Sequence, residues 1–88
     1  RPGYIMDQWT ARSANFLAGE AFIALDVAGP NGMRRVADRN APETYERFCT
    51  FVEDLALRMG TTPAEVEMRM FAGGRRQDGW RKLVHRLT

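Results

Sequence analysis

The apolar positions in the second half of the chain recur at three- and four-residue steps. Tyr45, Phe48, Val52, Leu55 and Met59 form one row, and Cys49, Phe51 and Ala56 widen it. That spacing predicts a long amphipathic helix with one buried stripe. Pro42 suits its first helical position, where the missing N–H costs nothing. Gly60 suits the left-handed position that ends it. Thr62-Pro63-Ala64-Glu65 then combines a capping box with a proline at the first helical position, which starts another helix. This helix is expected to bury Val66, Met70 and Phe71, and Gly73-Gly74 to stop it. Asp78 can cap a last helix with Trp80, Leu83, Val84 and Leu87 on one stripe.

The first half is less regular. Trp9, Ser13, Phe16 and Leu17 predict a first helix ending near Gly19. The run Ala21-Phe22-Ile23-Ala24-Leu25, within Glu20 to Val27, fits a buried helix or a strand. With no second strand-like run to pair with it, helix is favoured. Gly29-Pro30-Asn31-Gly32 reads as a turn. Met33 to Arg39 reads as a short helix or a connector. The pattern therefore predicts one all-α domain over residues 1–88, a compact orthogonal bundle of about five short helices.

Composition narrows the class. An apolar fraction of 44% in 88 residues supports one small globular domain. No run approaches the roughly 18 apolar residues of a membrane span, so no membrane partner is expected. The start, Arg1-Pro2-Gly3, carries neither an initiator Met nor a secretory segment and reads as an artificial boundary or an internal cut, with either a protein partner or a missing N-terminal segment as the expectation. Cys49 and His85 are the sole residues of their types. An internal disulfide is excluded, and no metal or other cofactor is expected. The simplest setting is the cytoplasm.

Charge changes the picture through its distribution. The net charge is +2, and Lys82 is the one cation among thirteen that is not arginine. Glu43 to Glu67 holds six acidic residues against Arg47 and Arg58, whereas Met68 to Thr88 holds six cations against Asp78. A basic end behind an acidic middle suggests a face for an anion, and the planar fork of arginine suits phosphate. Genome composition and solvated helix faces would give the same enrichment. Arg75-Arg76, between the Gly-Gly pair and a helix start, fits a phosphate-contact loop that Asp78 opposes.

Candidate chemistry is sparse. Ser13 has no nearby base, and Cys49 falls on an apolar stripe where thiols are inert packing. Leu55 to Phe71 has the rhythm of a helix-turn-helix. Its second helix, however, would present Ala64, Glu65 and Glu67 early, and carboxylates repel phosphates. The residue that stands out is Asp7, behind the apolar pair Ile5-Met6 at a helix start. A carboxylate there accepts hydrogen bonds from unpaired N–H groups in the positive end of the helix dipole. An ionised carboxylate in a fixed pose can also stabilise a cation or activate a water. Capping alone would equally explain its placement.

The stretch Tyr4-Ile5-Met6-Asp7-Gln8-Trp9-Thr10-Ala11-Arg12 resembles the aspartate-bearing element of the helix-hairpin-helix DNA glycosylase superfamily. There an apolar pair precedes an Asp that opens a helix, with an Arg about five positions on. The segments Gly60 to Glu67 and Phe71 to Arg76 are similar to the C-terminal helices of some bacterial members. The resemblance implies duplex DNA as partner and Asp7 as the carboxylate that stabilises positive charge on the sugar while the glycosidic bond breaks. Together with the charge distribution, duplex DNA as partner makes Arg12, Arg75, Arg76, Arg81 and Lys82 the candidates for the DNA backbone. The chain departs from the pattern in three ways. Six residues precede Asp7, too few for the family's DNA-gripping hairpin; Lys82 lies on the wrong side for a lyase nucleophile; and Gln8-Trp9-Thr10 replaces Thr-His-Val. The resemblance thus implies the aspartate-bearing part of a longer glycosylase. The alternative is a non-catalytic module, either a helix-turn-helix-like DNA binder or a protein-interaction domain.

Overall fold

The computed structural model describes residues 4–27, 29–30 and 34–75. The element order is α1 (Gln8–Ala18), β1 (Leu25–Val27), β2 (Arg34–Val36), α2 (Pro42–Met59) and α3 (Pro63–Arg75). Three helices and a small antiparallel ribbon, among the described residues, replace the expected all-α set of about five helices. The last predicted helix, from Asp78, lies outside the described residues, as does His85. No described helix is long and apolar enough to cross a membrane.

The helix ends follow local chemistry. Gly19 and Gly60 close α1 and α2 in the left-handed region, with φ of 73° and 66°. Pro42 and Pro63 open α2 and α3. The Thr62 hydroxyl accepts the Glu65 N–H at 3.2 Å. The Glu65 carboxylate is turned along the helix to Arg69 Nε, 3.0 Å away.

The 20–39 segment departs from the helical expectation. Leu25 pairs with Val36, Asp26 with Arg35 and Val27 with Arg34. The pairing partner is thus Arg34-Arg35-Val36, which carries too little apolar pattern to read as a strand. Two asparagines hold the ribbon's base. Asn15 on α1 donates to the Ile23 carbonyl at 2.9 Å and accepts the Ile23 N–H at 3.0 Å. Asn40 does the same to Ala24, at 3.0 and 2.8 Å, and also donates to the Ala37 carbonyl. Each side-chain amide takes the place of a neighbouring strand, which lets three-residue strands persist without a wider sheet.

The core gathers Ala11, Ala14, Ile23, Phe48, Val52, Ala56, Val66 and Met70. The α2 stripe is buried as its spacing predicts, at Phe48, Cys49, Val52 and Ala56. On α1 the buried face is instead the small side of the helix, Thr10, Ala11, Ser13 and Ala14, while Phe16 is 51% exposed. The reason lies on α3. Gly73-Gly74 does not stop that helix; both glycines are inside it and buried. A Cβ on Gly74 would lie 2.8 Å from the Trp9 carbonyl carbon and 2.9 Å from its Cα. The glycine pair permits close approach of two backbones, which offsets its low helix propensity of about 1 kcal/mol per residue. One turn away the Ser13 hydroxyl donates to the Met70 carbonyl at 2.5 Å. A helix packed this closely has room for Ala and Ser at the contact, and the larger Phe16 faces outward.

Candidate active site

Asp7 caps α1. Its Oδ1 accepts the Trp9 N–H at 3.0 Å and the Thr10 N–H at 2.9 Å, satisfying two of the helix's unpaired donors. The Thr10 side chain completes the capping box by accepting the Asp7 N–H at 3.0 Å. Among the described residues every hydrogen bond to the Asp7 carboxylate falls on Oδ1. The cap therefore occupies one oxygen.

The residues before Asp7 form a strap tied to all three helices. Tyr4 donates its hydroxyl to Glu53 on α2 at 3.0 Å, and the Tyr4 carbonyl accepts the Tyr45 hydroxyl at 2.8 Å. The Ile5 N–H donates to Glu67 on α3, and the Ile5 carbonyl accepts the Thr10 hydroxyl of α1 at 2.9 Å. Thr10 is 2% exposed. Replacing it with Val would leave the Ile5 carbonyl and the Asp7 N–H without this partner. Thr10→Val is expected to destabilise the fold by about 2 kcal/mol, read from a thermal melt, whereas Thr10→Ser retains most of the stability.

Tyr45 carries the one clear ionisation anomaly among the described groups. Partial burial, with a hydrogen bond to the Cys49 thiol, holds its phenol above the ordinary 10.0. Above that pH the unfolded chain gives up the proton more readily than the native state does. The native state then binds more protons, so stability falls as pH rises through 10 and on through the folded value. Tyr45→Phe is expected to remove that alkaline loss while costing about 1 kcal/mol at neutral pH for the bond to Tyr4. Denaturant melts across the alkaline range check both effects.

Between the strap and α3 lies a cleft of about 300 Å³, lined by Ile5, Asp7, Thr10, Ala64, Glu67, Met68 and Phe71. On α3 these positions fall at i, i+3, i+4 and i+7, one face of the helix. That spacing was visible in the sequence, but Glu67 and Phe71 were not singled out as site residues. Their link to Asp7 requires knowing which face of α3 meets the strap. The walls are apolar, with Ile5 64%, Met68 62% and Phe71 37% exposed to solvent. Two carboxylates, Asp7 and Glu67, interrupt them. Such a cleft disfavours phosphate and suits a flat apolar group with hydrogen-bond donors or developing positive charge.

Of the predicted cationic residues, Arg12 and Arg75 lie within the described chain, and neither lines this cleft. The Arg75 guanidinium lies 5.4 Å from the centroid of the Phe71 ring, at the end of α3. Arg12 lies over Trp9 at 5.8 Å. Arg76, Arg81 and Lys82 lie outside the described residues.

A mostly helical domain with a capped aspartate facing an apolar cleft is the arrangement found here. The chain belongs to the family described as "Putative 8-oxoguanine DNA glycosylase OGG-like protein", which matches residues 1–71. That span includes every residue lining the cleft. No curated protein and no solved structure matches the chain.

Proposed function

We propose that this chain supplies the aspartate-bearing helical part of a base-excision DNA glycosylase of the helix-hairpin-helix type, acting on an oxidised purine such as 8-oxoguanine. The observation that carries this reading is the position of Asp7 in the cleft with Oδ1 held by the α1 cap. A base extruded from the duplex needs a pocket with apolar surfaces for its faces and polar groups for its edge. Ile5, Met68 and Phe71 provide the former, and Glu67 an acceptor for base N–H groups. As the glycosidic bond breaks, its electron pair leaves with the base and positive charge develops on the sugar. A fixed carboxylate at Asp7 stabilises that charge without reorganising.

The alternative, a helix-turn-helix-like binder or protein-interaction module, needs the early face of α3 available to a partner. Ala64 and Glu67 line the cleft beside Asp7, and the apolar cleft with two carboxylates favours the enzymatic reading over contact with phosphates. The deciding experiment is incubation of the full-length protein with a duplex containing 8-oxoguanine, with release of the free base followed by chromatography. Release is the expected result, and 8-oxoguanine retained in the duplex at saturating protein would overturn the proposal.

A further inference from the structure

The arginines of the described chain differ in how far their charge is already committed. Arg39 pairs with Asp26, Arg47 with Glu20 and Arg69 with Glu65. Arg12 and Arg75 lie over the rings of Trp9 and Phe71. Arg58 sits in the last turn of α2, at the negative end of that helix's dipole. Arg34 and Arg35 are different: both are exposed, and neither has a carboxylate ion-pair partner among the described residues.

Their setting is a ribbon that extends past the core. Leu25 and Val36, paired at its base, pack against the core. Further along, Val27 is 66% exposed opposite Arg34. Alternation places Arg34 on the face shared with Leu25 and Val36, and Arg35 on the other face. Asp26 stands across from Arg35, yet its carboxylate is engaged by Arg39. Asp38 lies past the end of β2, at the base. The asparagine bonds at Ile23, Ala24 and Ala37 fix that base, so the two cations are carried on an ordered support.

A two-stranded ribbon is one of the few elements that fits the major groove of duplex DNA. With one guanidinium on each face, such a ribbon meets the phosphates of both groove walls. We propose that the β1–β2 ribbon is a DNA-contact element, with Arg34 and Arg35 binding backbone phosphates on either side of a groove. This rests on the DNA-acting reading above and assigns it a surface separate from the cleft.

The test is the salt dependence of binding of the full chain to a short duplex. Arg34→Ala with Arg35→Ala is expected to lower the slope of log K against log salt by about 1.8, two phosphate contacts at about 0.9 each. Arg34→Lys with Arg35→Lys is expected to keep the slope. Arg47→Ala with Arg69→Ala removes the same formal charge at cations already paired, and is expected to leave the slope near the wild-type value. An unchanged slope in the Arg34/Arg35 alanine variant overturns the ribbon proposal alone. An equal fall in the Arg47/Arg69 variant also overturns it, because net charge would then be the cause. No binding by the wild-type chain even at low salt overturns both this proposal and the reading on which it rests.

Discussion

Asp7→Asn is expected to slow the proposed base excision by orders of magnitude and to leave the fold in place. The substitution keeps the shape of the side chain and an oxygen that can accept the Trp9 and Thr10 N–H groups. Asn is as good an N-cap as Asp, so stability is expected to change by less than about 0.5 kcal/mol. What is lost is the charge. Removing one preorganised group that stabilises transition-state charge lowers the rate by about 10²- to 10³-fold. Single-turnover excision measured beside a thermal melt separates the two effects. Asp7→Ala gives the contrast, because it loses the cap as well, at about 1 kcal/mol. Full excision by Asp7→Asn would sink the catalytic assignment and leave Asp7 as a cap alone.

Gly74→Ala has the largest expected effect on stability. An added methyl group at a helical position is ordinarily favourable by about 1 kcal/mol. At Gly74 it meets the Trp9 backbone, which cannot rotate away as a side chain would. Relief requires α1 and α3 to separate, with loss of the Ser13–Met70 bond and of packing around Ala11 and Ala14. A loss of about 3 kcal/mol or more is expected, a large fraction of what a domain of this size has. Gly29→Ala is an informative comparison in the same melt. Its Cβ would meet nothing within 4 Å, so its cost comes from the positive φ alone.

The elements that were legible in the sequence are those fixed by near neighbours. The caps at Asp7, Gly19, Gly60 and Thr62, and the prolines at the starts of α2 and α3, each depend on a few adjacent residues. The stripe of α2 was legible because a long helix repeats its signal. The ribbon was not, because its strands are three residues long and are stabilised by amides from Asn15 and Asn40, outside the run. The exposure of Phe16 and the helical place of Gly73-Gly74 depart from the local pattern for one shared reason. Both depend on how closely α1 approaches α3, a distance no local pattern encodes. The cleft is the extreme case. Asp7 and Glu67 are sixty positions apart, and they meet through the packing of α1 on α3 and the strap's bond from Ile5 to Glu67.

Trp9 beside Gly74 and Ser13 beside Met70 imply that α1 and α3 run in opposite directions. The strap is fastened to α1 through Thr10, so the spacing of these two helices also positions the strap over the lining face of α3. The hydrogen on the Gly74 Cα thus acts as a shim, setting the width of a pocket that Gly74 does not touch. The width of the cleft is thus open to change from this buried seam as well as from its walls, with paired small-residue changes at Gly74 and Ser13 altering it while the lining chemistry stays constant.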